Sequence, residues 1–415
     1  MLFAAALALV IAIAAARPAL IRAEPFAQTS GFSAQGLARL GDYFQNEVSA
    51  GKIPGAVVLI QQHGRPVFSE SFGWSDVTTK QPMTADAIFR LYSMSKPITS
   101  TAVMMLVDGG KLALDDPLSK YIPAFADVKV GVERQDGTLD TEPLKRPTTI
   151  RDLLRHTSGI TYGFYGEGAV RKLYANSGLF DGDIDNATFV ERLARLPLAE
   201  QPGTLWDYGH STDVLGRVVE VASGQSLFAF EKAHLLDPLG MTETAFFVAD
   251  PAQRGRVAEP LPQERFRAPL AGITDPILPR KWESGGAGMV GTIGDYARFA
   301  QMLLNGGTLD GRRYLKEATV ALMASDQIGP GTGIARDQRY DFPGDDSGYG
   351  LGFAVRTSPR PPLVRGEYRW DGVGGTFFFI DPADDMFTIV LMASPSQRGR
   401  IQPEVKKLIY QALGR

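Results

Sequence analysis

Two kinds of hydrophobic periodicity divide this chain, and where each falls is the strongest constraint on its fold. Runs rich in β-branched and aromatic residues lie near the two ends: "AVVLIQQ" (56–62) and "PVFSESFGW" (66–74), then "YGLGFAV" (349–355), "TFFFID" (376–381) and "MFTIVLMA" (386–393). Between them the period becomes helical, in "KPITSTAVMMLVDGG" (96–110), "TIRDLLRH" (149–156), "NATFVERLARL" (186–196), "STDVLGRVVEVASG" (211–224), "SLFAFEKAHLL" (226–236) and "TIGDYARFAQMLLNGG" (292–307). In the last of these, Thr292 and Asp295 have the spacing of a capping box and a glycine pair closes the helix. Further helices are expected over 34–50 and 402–413. Strands at both ends and helices in the middle predict an antiparallel α/β domain built from residues 34–115 and 290–415, with a mainly helical insertion over 116–289.

Charge and cysteine content exclude several classes of function. With 43 basic and 46 acidic residues among 415, the formal net charge is -3, which gives no electrostatic basis for binding nucleic acid. Small, nearly neutral ligands are the expected partners. The absence of cysteine removes disulfides, thiolate metal sites and a cysteine nucleophile, and the four histidines (His63, His156, His210, His234) have no metal-ligand spacing. Residues 2–16, "LFAAALALVIAIAAA", form an uncharged stretch too short to span a bilayer comfortably. They read as a signal peptide over 1–23, with an uncleaved membrane anchor as the alternative because a basic n-region is missing. Export to a bacterial periplasm or beyond follows as an expectation.

The stretch "RLYSMSKPIT" (90–99) carries the most chemistry. Serine at i and lysine at i+3 share a helix face, so the Lys96 amine can take the Ser93 proton, and a helix N-terminus favours developing negative charge there. The bland alternative is a capping serine, since about one S-x-x-K is expected by chance in a chain this long. Ser49 and Lys52 match the same pattern, but Gly51 breaks the helix between them. Pro97 cannot donate to the Ser93 carbonyl, which puts Ser93 at a helix start.

Five segments in order, "FRLYSMSKPITSTAVMMLVDGGKLALDDPLSKYIP" (89–123), "TIRDLLRHTSGI" (149–160), "PGTLWDYGHSTDVLGRVVEVASG" (202–224), "LDPLGMTETAF" (236–246) and "GGAGMVGTIGDYARFAQMLLNGG" (285–307), resemble the serine β-lactamase and penicillin-binding-protein superfamily, and within it the class C-like carboxylesterases called family VIII esterases. The resemblance runs from residue 34 to the C-terminus. It implies a β-lactamase/DD-peptidase-like α/β (α+β) fold, with helices flanking an antiparallel sheet beside a helical domain. It also implies a tyrosine that shares the serine proton with the lysine. "YAN" at 174–176 matches the usual Y-x-N literally, yet the flanks "PGT" and "PLGM" surround Tyr208 in "YGH", so Tyr208 is assigned and Tyr174 is taken as a helix aromatic.

The lactamase K-T-G is missing. In its place "RWDGVGG" offers Trp370, Asp371 and Gly372, where the esterase branch has W-G-G. Gly372 is expected to let substrate approach the strand, and the resemblance implies an oxyanion hole from the backbone N–H groups of Ser93 and Val373. Asp371, if it faces the pocket, would repel a lactam carboxylate. His210 stands at the Asn position of Y-x-N and is placed at the substrate, whereas His156 is expected to order its loop by hydrogen bonding. No G-x-S-x-G elbow is present for a Ser-His-Asp hydrolase. The resemblance thus implies a cofactor-free serine carboxylesterase acting on small to medium esters through an acyl-enzyme on Ser93, with weak β-lactam hydrolysis as a side reaction. A β-lactamase, a D-amino acid peptidase or an amide hydrolase on this fold is the alternative enzyme, and a catalytically silent sensor is the alternative of another class.

Overall fold

A computed structural model describes residues 31–264, 275–336, 346–358 and 366–415. The leader-like segment 1–23 lies outside them. Both ends of the chain meet in one eight-stranded antiparallel sheet made of β1 (Gly55–Gln62), β2 (Arg65–Asp76), β3 (Gln81–Pro82), β4 (Ser347–Tyr349), β5 (Ala354–Arg356), β6 (Tyr368–Asp371), β7 (Phe377–Asp381) and β8 (Met386–Met392). Their spatial order is β4-β5-β6-β7-β8-β1-β2-β3, so the first and last segments of the chain pair at the centre, with Val58 opposite Val390.

The central strands are apolar on both faces, and the period of two sorts their residues into separate cores. Ala56, Val58 and Ile60 face a layer formed by α1 (Ala34–Ser49) and the C-terminal helix, where they meet Leu40, Phe44, Val405 and Ile409. Val57 and Leu59 point the other way, into the large core shared with α2 (Ser95–Asp108) and the helices of the middle of the chain. Those include α3 (Ile150–Leu154), α4 (Ala169–Ala175), α5 (Asn186–Leu193), α6 (Ser211–Ser223), α7 (Leu227–Glu231) and α8 (Ile293–Leu304), together with a hairpin pairing Lys129–Glu133 with Leu139–Pro143. The C-terminal helix, α9 (Arg398–Ala412), crosses α1 closely enough that a Cβ on Gly36 would lie 2.5 Å from the Ala412 backbone.

The structure departs from the sequence expectation at three elements. "YGLGFAV" folds as the β4–β5 hairpin, because Gly352 turns the chain at φ +110 and Gly350 N–H donates to Phe353 O at 2.9 Å. The helix expected at 402 starts at Arg398, so Pro403 falls inside it. Thr292 accepts from the Asp295 backbone, but the Asp295 carboxylate accepts from Glu243 N and Thr244 Oγ1, both at 2.9 Å, and ties α8 to the loop before it. The reciprocal capping box occurs at Thr149 and Asp152 instead.

Asp152 also organises the loop leading to the site. Fully buried, it receives Arg146 in bidentate fashion at 2.6 and 2.9 Å, Arg155 at 3.1 Å and the hydroxyls of Thr149 and Thr157, each at 2.9 Å. Burial alone would raise its pKa, yet these partners hold the carboxyl below the usual range. Removing such a carboxylate strands two arginines, at a cost of about 3 kcal/mol. Asp152→Ala should therefore lower the unfolding free energy by about that amount in urea denaturation, whereas a surface pair such as Lys407 with Glu404 should contribute under about 1 kcal/mol.

Candidate active site

Ser93 lies in a 3₁₀ turn, Tyr92–Met94, that runs directly into α2. That turn is strained and clamped. Tyr92 has φ +47, a region that L residues with bulky side chains rarely occupy, and hydrogen bonds on either side of it fix the turn: Leu91 N–H donates to Met289 O at 2.8 Å, Tyr296 OH to Met94 O at 3.1 Å, and Met289 N–H to Ser95 Oγ at 3.1 Å. One helical turn on, Lys96 is completely buried, and its Nζ lies 3.2 Å from Ser93 Oγ, 3.3 Å from Tyr162 OH and 2.8 Å from Gly286 O. Burial is the dominant influence on this amine. It lowers the pKa to about 7, against the opposing pull of Asp213 and Asp371.

Tyr208 follows the short strand Leu205–Trp206, and its hydroxyl is 2.7 Å from Ser93 Oγ. Its ring packs among His156, Tyr162 and Trp370 at centroid distances of 4.8, 5.3 and 5.4 Å, and Lys96 Nζ sits 4.5 Å from its centroid. Burial drives its pKa upward and that of Tyr162 well above the ordinary range, so both are neutral phenols. Gly209 fixes the approach, because a Cβ there would come within 2.2 Å of Ile160 O. The preceding residue, Asp207, is paired to Arg171 at 3.1 Å, and its backbone N–H donates to His156 O at 2.8 Å.

The structure brings Ser93, Lys96 and Tyr208 together and puts Val373 and His210 on the wall of the same narrow cavity, about 40 Å³ in volume. Tyr174 does not line it and is buried in the core. Trp370 and Asp371, adjacent on β6, face opposite ways. Trp370 packs against Tyr208, but the Asp371 carboxylate turns to α9, where it meets Arg398 Nε and Gln402 Nε2, each at 3.0 Å. Asp371 therefore does not face the Ser93 pocket. At Gly372 the structure shows a steric need of another kind: a Cβ there would strike Leu91 O at 2.5 Å, and one on Gly374 would strike the Tyr92 ring at 2.6 Å. These glycines let the strand end close on the Ser93 turn itself. His156 orders its loop through its carbonyl, while its ring, held neutral by burial, packs between Tyr208 and Tyr349 and its Nδ1 finds no hydrogen-bond partner among the described residues.

Three participants escaped sequence reasoning. Tyr162 follows "HTSGI" with no spacing rule that would single it out, and Gly286 contributes only a carbonyl. Asp213 was legible in principle, being i+3 from His210 on α6, where its Oδ2 lies 2.9 Å from His210 Nδ1. Among the described residues no cluster of side chains could hold a metal ion.

Comparison with known proteins places this geometry in a lineage. The beta-lactamase family model matches residues 40–411. The chain is 36% identical to Protein Rv1367c of Mycobacterium tuberculosis, covering 83% of this chain and 86% of that one, and 32% identical to Esterase EstB of Burkholderia gladioli, covering 88% and 92%. Among solved structures it resembles EstCE1, a hydrolase with promiscuous acyltransferase activity, at a TM-score of 0.75 and 28% identity over 91% of this chain and 98% of that one.

The two tyrosines separate by experiment. Tyr208→Phe keeps the ring and removes the hydroxyl on Ser93, so covalent labelling of Ser93 by a fluorophosphonate should slow by about 10²-fold or more. Tyr174→Phe should change that rate by less than about twofold, as read by gel fluorescence against time.

Proposed function

The chain belongs to the beta-lactamase family, and from that footing we propose that it is a serine carboxylic ester hydrolase working through an acyl-enzyme on Ser93. The observation that carries this is the position of Ser93 Oγ, held between a phenol at 2.7 Å and a fully dehydrated amine at 3.2 Å. Above pH 7 most of the Lys96 amine is neutral and has a lone pair to offer. It takes the Ser93 proton as Oγ attacks the ester carbonyl, and the backbone N–H groups of Ser93 and Val373 receive the oxyanion. Tyr208 then gives its proton to the departing alkoxide and regains one from Lys96. Water repeats the sequence on the acyl-enzyme and releases the acid, so no proton is gained or lost over the cycle.

With neutral phenols at 162 and 208, the lysine is the group touching Ser93 that titrates in the working range. The assignment of Ser93, Lys96 and Tyr208 to these roles also favours an active enzyme over a silent sensor. Export from the cytoplasm fits the leader-like N-terminal sequence.

Substrate choice follows from the cavity wall. Tyr92, Tyr162, Phe164, Tyr165, Phe180 and Trp282 give it an aromatic lining, and no lysine or arginine lines it among the described residues. The charge that does reach it is negative: Asp213, whose carboxyl is kept ionised by hydrogen bonds from His210 and Ser284 despite its burial. A β-lactam brings a carboxylate that finds no lysine or arginine here, while a neutral ester of small to medium size brings none. The discrimination expected from Asp371 thus falls to Asp213 and the missing cation.

Two outcomes are expected. First, kcat/KM for a short-chain p-nitrophenyl ester should exceed that for nitrocefin by about 10²-fold or more, equivalent to about 2.7 kcal/mol, and Asp371→Gly should leave nitrocefin turnover within about twofold. Comparable efficiencies on the two substrates would point to a lactamase instead. Second, the protonated amine cannot act as base, so kcat/KM should rise with pH through about 7 and level off above it. A flat profile from pH 5 to 9 in initial-rate assays would remove Lys96 from that role.

A further inference from the structure

We propose that Asp213 is a positioning residue for Lys96: its carboxylate anchors the residue whose carbonyl receives the amine, and supplies the negative charge that balances it. This rests on the reading of Lys96 as the base.

Asp213 lies on α6, five residues after Tyr208, and is buried. Its Oδ1 accepts from Ser284 Oγ at 2.6 Å and from Gly286 N–H at 3.0 Å, and its Oδ2 meets His210 Nδ1 at 2.9 Å. Gly286 then offers its own carbonyl to Lys96 Nζ at 2.8 Å. One residue therefore presents its N–H to an anion and its C=O to an amine, an arrangement in which each bond polarises the next. Ser284 completes the turn by accepting from Ala287 N–H at 3.1 Å. A side chain at 286 would destroy the contact, since a Cβ would sit 2.9 and 3.0 Å from the two Asp213 oxygens.

Of the other groups around Lys96, Asp371 adds a weaker negative pull and the rest add none. Tyr162 and Tyr208 are neutral phenols, and His156 is neutral because it is buried. Asp371, across the sheet, is bound to Arg398 and Gln402. His210 touches the amine's surroundings through Asp213. Asp213 is the carboxylate whose charge acts most strongly on the lysine.

Removing that charge disfavours the protonated amine, so its titration must move to lower pH. The experiment measures kcat/KM for a p-nitrophenyl ester from pH 5 to 9 with Asp213→Asn and Asp213→Glu, after circular dichroism establishes that each is folded. The asparagine variant should lose plateau activity while its rising limb shifts to the acid side by about one unit. The glutamate variant keeps the charge, and its limb should not fall below that of the wild type. A lower plateau with an unmoved limb in Asp213→Asn would make the residue merely structural and overturn the proposal. So would an acid shift in Asp213→Glu, which remains decisive if the asparagine variant does not fold. Fluorophosphonate labelling of the wild type separates the two levels: failure to label Ser93 defeats the ester hydrolase reading, whereas a labelled Ser93 with an unmoved limb defeats only the role of Asp213.

Discussion

An amine removed from water is the constraint around which the rest of this site is arranged. A lysine buried without partners would cost several kcal/mol, so the chain has to bring acceptors to it. It does so from separate segments: the Ser93 turn on one side of α2, the loop carrying Tyr162, and the turn at Gly286. None of these can drift without leaving the amine unsatisfied. Two of them are fastened again behind the first contact, Gly286 by the Asp213 carboxylate and the Ser93 turn by Met289 and Tyr296. Dehydration lowers the pKa of this amine to about 7, which is what the proposed role of Lys96 as base requires near neutral pH.

Close backbone approach is the second requirement, and it explains why strain and glycine gather at the same point. The end of β6 must come near the Ser93 turn, and Gly372 and Gly374 remove the atoms that would prevent it. Tyr92 holds an unfavourable φ there although it is not glycine. A conformation of that kind costs on the order of 1–3 kcal/mol and persists only where the surroundings over-determine it. Here the clamping bonds on Leu91, Met94 and Ser95 do so. The strain fixes the direction in which Ser93 leaves the turn, which places its oxygen between Lys96 and Tyr208.

Local chemistry was legible in the sequence and long-range chemistry was not. The i, i+3 spacing of Ser93 and Lys96 needs only a helix, and Pro97 announces where that helix begins. Both central strands of the sheet declared themselves through unbroken apolar runs. Tyr208 was separable from the literal "YAN" only through the flanks that a family resemblance supplied, since both rings pack against the same core, Tyr174 buried and Tyr208 half-buried. Asp371 shows the limit from the other side: its place in the motif suggested the pocket, but adjacent residues of a strand face opposite ways, so seating Trp370 against Tyr208 sends Asp371 to α9. Tyr162 and Gly286 could not be found, because they contribute to Lys96 from 66 and 190 residues away in sequence.

The aromatic wall joins these threads, because the rings that shape the cavity also keep water from the amine. Tyr162 is a hydrogen-bond partner of Lys96 and at the same time packs on Phe164 and His210 at 4.6 and 4.4 Å. A polar lining would hydrate the lysine and return its pKa toward that of an exposed amine, and a cationic lining would bind the carboxylate of a lactam. Apolar specificity and a neutral base thus require the same kind of wall. In such a wall the buried Asp213 is held by a histidine, a serine and a glycine N–H, and of the carboxylates it acts most strongly on Lys96. On the proposed reading, preference for neutral esters and activation of Ser93 would both follow from one desolvated pocket.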